Sequence, residues 1–227
     1  MNMNRKIVKL IAVPLLFVLG GCVKPQAPTD ETKQKNHQDI HRLVVTFTPG
    51  EMQSDKFIPV SSLGETLSFS ASADSHWKPD KTIQPIKGVN YFVAVKQYSK
   101  MGVEINKEYA TNGEDLIHQY FFIPNRIRAK EALEWIEYRY LDTEPWDASM
   151  TTDAKVIGDT NPIGLKGVMI FKQSGQELKI WMRLLHARGS KFSSKNMASP
   201  FYAPGAWTAH GDFDLDLEFE VEVLSKN

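Results

Sequence analysis

Residues 212–223 read DFDLDLEFEVEV, an acid and an apolar residue in unbroken alternation. Successive side chains of an extended chain point to opposite faces. Phe213, Leu215, Leu217, Phe219, Val221 and Val223 therefore share one face, and Asp212, Asp214, Asp216, Glu218, Glu220 and Glu222 the other. A helix would scatter both sets around its circumference. The run is predicted as a strand with one face in a core and an acidic face in water, where like charge also discourages edge-to-edge pairing. Same-face carboxylates on a strand recur every ~6.6–6.8 Å, too far apart for two neighbours to close around calcium. The row reads as a solvated face.

The same period-two pattern extends through the chain. Residues 43–48 (LVVTFT) form one predicted strand, closed by Pro49-Gly50. Further strands are predicted over 67–71, 91–96 (YFVAVK), 120–123 (YFFI), 134–140, 168–172 and 178–185. Lys172-Gln173-Ser174-Gly175-Gln176 predicts a hairpin turn between two of them. Only residues 126–136 (RIRAKEALEWI) have the composition of a helix. Short strands punctuated by Pro and Gly indicate an all-β, antiparallel sandwich with at most one or two short helices. Pro85-Ile86-Lys87-Gly88-Val89 followed by Lys96-Gln97 echoes Pro162-Ile163-Gly164-Leu165-Lys166-Gly167-Val168 followed by Lys172-Gln173. Two arrangements follow: tandem immunoglobulin-like modules over 41–127 and 128–227, or a single domain over 41–227.

The N-terminal segment carries an address. Arg5, Lys6 and Lys9 precede an apolar run over 10–19 that is too short to span a bilayer. Then comes Leu19-Gly20-Gly21-Cys22, which resembles the lipobox of bacterial lipoproteins. That resemblance implies a signal peptide over 1–21, cleavage before Cys22, and membrane lipid attached through Cys22. Two or three acyl chains anchor stably, at roughly 0.8 kcal/mol per buried CH₂. Val23 stands where some lipoproteins carry an inner-membrane retention aspartate, so the resemblance points to the outer membrane. Residues 22–40 are polar, include Pro25 and Pro28, and predict a disordered tether. His37 and His41 would share a helix face, but nothing there predicts a helix, so neither is assigned to a metal.

Removing residues 1–21 leaves 24 basic against 27 acidic residues, a balance that argues against nucleic acid as a partner. Cys22 is the only cysteine, so no disulfide forms within the chain and stability rests on burial. No G-x-S-x-G elbow, H-E-x-x-H motif, P-loop or dinucleotide fingerprint is present, and the chain is not read as an enzyme.

HRLVVTFTPG (41–50), HQYFF (118–122), YRYLDTEPWD (138–147), LLHARGSKF (184–192) and SPFYAPG (199–205) resemble an uncharacterised group of lipoproteins from Bacteroidetes-type bacteria. That resemblance implies association with surface uptake, hence an outer-membrane transporter as partner. The group carries histidine-rich versions of the first and third segments. Here Glu51-Met52-Gln53 follows Pro49-Gly50 without a histidine, which weakens an inherited metal or haem role.

Among the histidines, His118 precedes the apolar YFFI strand and His186 follows WMRLL. Corresponding strand ends bring both rings to one cavity, where neutral imidazoles ligate a transition metal or haem iron. The alternative is that each caps its strand through a local hydrogen bond. Trp77, Trp146 and Trp207 lie in Pro/Gly-rich loops, where flat rings stack on sugar faces beside Asp80 or Asp147, or else plug the ends of the core. The chain therefore reads as an envelope-anchored binding or accessory lipoprotein for a metal, haem or glycan. A structural or adhesive surface module is the alternative and a hydrolase the third reading.

Overall fold

The computed structural model describes residues 37–149, 154–205 and 211–226. It is an all-β structure; among the described residues the single α-helix, α1 (Asn106–Ala110), has five residues. The first sheet is built on β1 (Arg42–Gln53), in which Leu43, Val45 and Phe47 alternate inward as their spacing predicts. Pro49-Gly50 does not end this strand. β1 runs through the pair, with β3 (Leu67–Ser72) along the first part of one edge and β2 (Lys56–Pro59) along the last. Gly50 is needed there because a Cβ would stand 2.3 Å from the Ile58 carbonyl oxygen. On its other edge β1 pairs β4 (Asn90–Tyr98), followed by β9 (Lys166–Phe171) and β6 (Ile136–Tyr140), all antiparallel.

The second sheet has three antiparallel strands, with β10 (Leu178–His186) between β5 (His118–Pro124) and β11 (Asp212–Val221). β7 (Thr143–Glu144) and β8 (Lys155–Val156) form a small separate ribbon. Val45, Phe47, Val93 and Val95 from the first sheet share one core with Tyr120, Phe122, Met182, Leu184, Leu217 and Phe219 from the second. Phe219 meets Phe69 with ring centroids 4.6 Å apart, an aromatic contact in the core between the sheets. Each such side chain contributes about 1.5–3 kcal/mol by leaving water.

Three expectations need correction. The described strands do not form two modules meeting at residue 128, because strands from both sides of that point occur in both sheets; the described residues fall in one unit. Residues 172–176 are not a hairpin turn, since they carry the chain from β9 in one sheet to β10 in the other. Residues 126–136 contain a 3-10 segment, Lys130–Glu134, and the start of β6, while the α-helix lies in residues 106–110. The boundary between tether and fold also shifts. His37 and Ile40 are already buried, so the last part of the predicted 22–40 tether belongs to the folded unit.

Candidate metal centre

The spacing of β5 and β10 places His118 and His186 together. Tyr120 and Phe122 point into the core from β5, and Met182 and Leu184 do so from β10. Period two then puts His118 and His186 on the same inner face, one at the start of its strand and the other at the end. The register makes them direct partners, and their ring centroids lie 4.6 Å apart.

The third group comes from β11 through a break in its alternation. Leu184 pairs with Leu215 but Leu185 pairs with Phe213, so Asp214 is the extra residue of a β-bulge. Bulges re-aim side chains. Phe213 turns to the outer side of the sheet, against the cluster of Phe121, Ile123, Trp181, Leu185 and Ala187. Asp214 turns into the histidine pair, its side chain 5% exposed, with Oδ2 3.2 Å from His118 Nε2 and 3.1 Å from His186 Nδ1. Asp214 is thus not part of the solvated acidic row. The rest of that row is also engaged: Asp216 accepts from Trp181 Nε1 and Arg183 Nε, Glu218 from Arg126, and Glu222 from Gln84.

The fourth group is His37, in a segment without regular secondary structure. Its Nε2 lies 3.3 Å from His186 Nδ1 and 3.5 Å from Asp214 Oδ2. Its ring packs on Tyr109 at 4.2 Å and on His118 at 4.8 Å. One ligand atom from each of His37, His118, His186 and Asp214 lies within 4.8 Å of all the others. A tetrahedron with metal bonds of about 2.0–2.1 Å has edges of roughly 3.3–3.4 Å. Four of the separations, at 3.1–3.5 Å, are of that length.

Proton placement sharpens the picture. His118 Nδ1 lies 2.8 Å from the Glu114 carbonyl oxygen, and His37 Nδ1 lies 3.2 Å from that of Gln38. A carbonyl only accepts, so both rings donate outward through Nδ1. In the neutral imidazole this leaves Nε2 of both rings as bare lone pairs, facing the Asp214 carboxylate. Burial, the largest influence on His37, lowers its pKa and favours that neutral form. Lone pairs and a carboxylate converging in a buried place repel one another unless a metal ion or a proton sits between them. A second carboxylate adds to the demand. Glu114 is 4% exposed, and its Oε2 has no hydrogen-bond partner, standing 3.6 Å from His118 Nδ1 and 4.0 Å from His37 Nε2.

Surrounding groups fix these side chains. The backbone acceptors of the two Nδ1 atoms set tautomer and ring orientation, as a partner on the far ring nitrogen does for metal-binding histidines. Lys191, fully buried, donates through Nζ to the carbonyls of His118 and Pro162 and holds the start of β5. Burial pushes its pKa down to about 7, with the nearby Asp142 carboxylate acting in the opposite sense. Asp142 in turn accepts from the backbone N–H groups of Ile163, Gly164, Leu165 and Lys166.

Trp77 and Trp146 stand in different surroundings. Trp77 is half-buried and packs against the main core. Trp146 lines a separate open cleft of about 460 Å³ with Thr111, Asp115 and Asn161. Asp80, offered as a hydroxyl-binding group, accepts from the Ser70 backbone and hydroxyl. Trp207 and Cys22 lie outside the described residues. Among the described residues no helix is long and apolar enough to cross a membrane.

Sequence reading missed His37 and Asp214 for different reasons. His37 sits in a polar, proline-containing stretch whose composition predicts no order. Asp214 is one of six acids in perfect alternation, and only pairing with β10 exposes the bulge. No protein-family model, curated protein or solved structure matches the chain.

Proposed function

We propose that this protein is an envelope-anchored metal-capture lipoprotein, holding one divalent transition-metal ion between His37, His118, His186 and Asp214. The observation that carries this reading is the convergence of two outward-donating imidazoles, a third imidazole and a carboxylate in one buried cluster. Three imidazoles and one carboxylate suit zinc or a neighbouring first-row ion better than calcium or magnesium, which take oxygen donors. Four protein donors leave no coordination position for substrate, which favours holding an ion over hydrolysis. Haem is a poor fit, since ligand atoms 3.1–3.5 Å apart leave no room for a porphyrin between them. Trp77 packs against the core and does not line the cleft that holds Trp146, so these two give the glycan reading no common surface.

Lipid on Cys22 would tether this unit to the outer membrane, where a captured ion can be passed to a transporter. Two measurements test the two halves of the proposal. The full chain, purified in detergent and stripped with chelator, is expected to take up about one Zn²⁺, and Co²⁺ in its place to give the intense visible bands of a tetrahedral site. Absence of stoichiometric Zn²⁺ and Co²⁺ binding would overturn the metal reading. Cys22→Ser is expected to abolish detergent partitioning; unchanged partitioning, with no lipid on wild-type Cys22 by mass spectrometry, would overturn the anchor.

A further inference from the structure

We infer that metal occupancy and docking of residues 37–41 are one coupled equilibrium, in which the ion bolts this segment to the fold and withdrawal of the segment opens the site. The inference rests on the metal reading above. His118, His186 and Asp214 belong to three neighbouring strands of one sheet, whose ladder fixes their mutual positions. His37 alone comes from outside any strand, at the point where the predicted tether gives way to the fold.

Without an ion, this segment is docked mainly by hydrogen bonds near the surface, by the His37 ring on Tyr109 and by one buried aliphatic side chain. The Gln38 backbone N–H donates to Glu108 Oε2 at 2.6 Å, and its side-chain amide to Glu108 Oε1 at 2.9 Å. Tyr109 donates its hydroxyl to the Gln38 carbonyl at 2.8 Å, and the His41 N–H donates to Tyr98 O at 2.9 Å. At the end of the segment the Ala73 N–H donates to His41 O at 2.9 Å, and His41 Nε2 lies 3.1 Å from the exposed Asp74 Oδ2. Ile40 is the segment's buried aliphatic side chain. The Gln38–Glu108 bonds are solvent-exposed, and Glu108 belongs to a helix of only five residues. Such contacts belong to the low-stability end of a structure, where local opening is cheap.

Docked, the site offers four donors and is closed. Undocked, it keeps His118, His186 and Asp214 and gains a vacant coordination position, the arrangement that lets an incoming or outgoing ligand reach the metal. Thermodynamic reciprocity then sets a firm relation: the factor by which docking tightens the metal equals the factor by which the metal favours docking. The segment on which the ion acts leads directly towards the predicted membrane anchor. Loading would fix where the tether leaves the fold, and displacement of that segment by an acceptor would release the ion.

The test uses the full chain in detergent and Zn²⁺ as the probe. Hydrogen exchange of the peptide spanning residues 37–41 is expected to slow about tenfold or more with Zn²⁺. His37→Ala should still bind Zn²⁺, at least about 10–100-fold more weakly, without slowing that peptide. Glu108→Ala removes the two bonds to Gln38 and touches no ligand. By reciprocity it should weaken Zn²⁺ by about fivefold or more. Zn²⁺ bound by the wild type with exchange of residues 37–41 unchanged would overturn the coupling alone. So would Glu108→Ala binding as tightly as wild type. No Zn²⁺ binding by the wild type would overturn the metal reading itself.

Discussion

Replacing Asp214 and Asp216 by asparagine, one at a time, separates two residues that the sequence presents as equivalent. Asp214 faces three imidazoles, whereas Asp216 holds Trp181 and Arg183 on the outer side of the sheet. Asp214→Asn should weaken Zn²⁺ by at least the ~10–100-fold that losing a mere hydrogen-bond partner of a ligand costs. Asp216→Asn should leave Zn²⁺ affinity unchanged within about twofold, since none of the proposed ligands leans on it. A competition titration against a zinc indicator reads both; equal losses would mean that the bulge does not set Asp214 apart. His118 and His186 were legible in the sequence because each extends the inward alternation of an apolar strand. His37 and Asp214 were not, because a disordered-looking composition hides one and a regular alternation disguises the other. A ligand supplied by a bulge leaves no one-dimensional trace: its signal lies in a partner strand about 30 residues earlier.

At the scale of the element, β11 keeps its predicted faces from Leu215 onward. Leu215, Leu217, Phe219 and Val221 are buried while Asp216 and Glu220 are exposed. Leu217→Ala should therefore destabilise by roughly 2–5 kcal/mol, through lost burial and the cavity left behind. Asp216→Asn with Glu218→Gln should cost no more than about 1 kcal/mol, because both carboxylates sit in partly solvated pairs. Urea unfolding measures the two variants side by side, and a neutral Leu217→Ala would mean the register is wrong. β1 gives a second check. Gly50→Ala places a methyl where the Phe57 ring and the Ile58 carbonyl already stand, and overpacking of that kind costs about 1–3 kcal/mol. The sequence showed Pro49-Gly50 as punctuation. Its role is instead a close approach of two backbones inside a continuing strand.

On the scale of the whole molecule, each sheet draws on both halves of the chain, which makes independent unfolding of the halves unfavourable. Urea transitions followed by tryptophan fluorescence and by far-ultraviolet dichroism should coincide, as they do for a single cooperative unit. Two separated transitions would restore the two-module division at residue 128. Far-ultraviolet dichroism should also be dominated by strand, with little helix beyond α1. The all-β class was legible in the sequence, because period two is a local property. The sorting of strands between sheets was not, since the crossing at residues 172–176 carries the same residue types as a hairpin turn.

The proposed ligands stand at positions 37, 118, 186 and 214, on four segments brought together only in the finished sandwich. This spacing has a kinetic corollary. A cage that needs four segments so far apart in sequence is expected to form late in folding, so zinc should not help the chain over its barrier. It can only retard the return journey, since interactions absent from the transition state act on the unfolding rate. In stopped-flow experiments zinc should leave the refolding rate nearly unchanged and slow unfolding in proportion to its binding. A faster refolding limb would mean that the cage forms early. With refolding unaffected and unfolding slowed, the ion is a lock on a completed molecule, conferring persistence rather than speed.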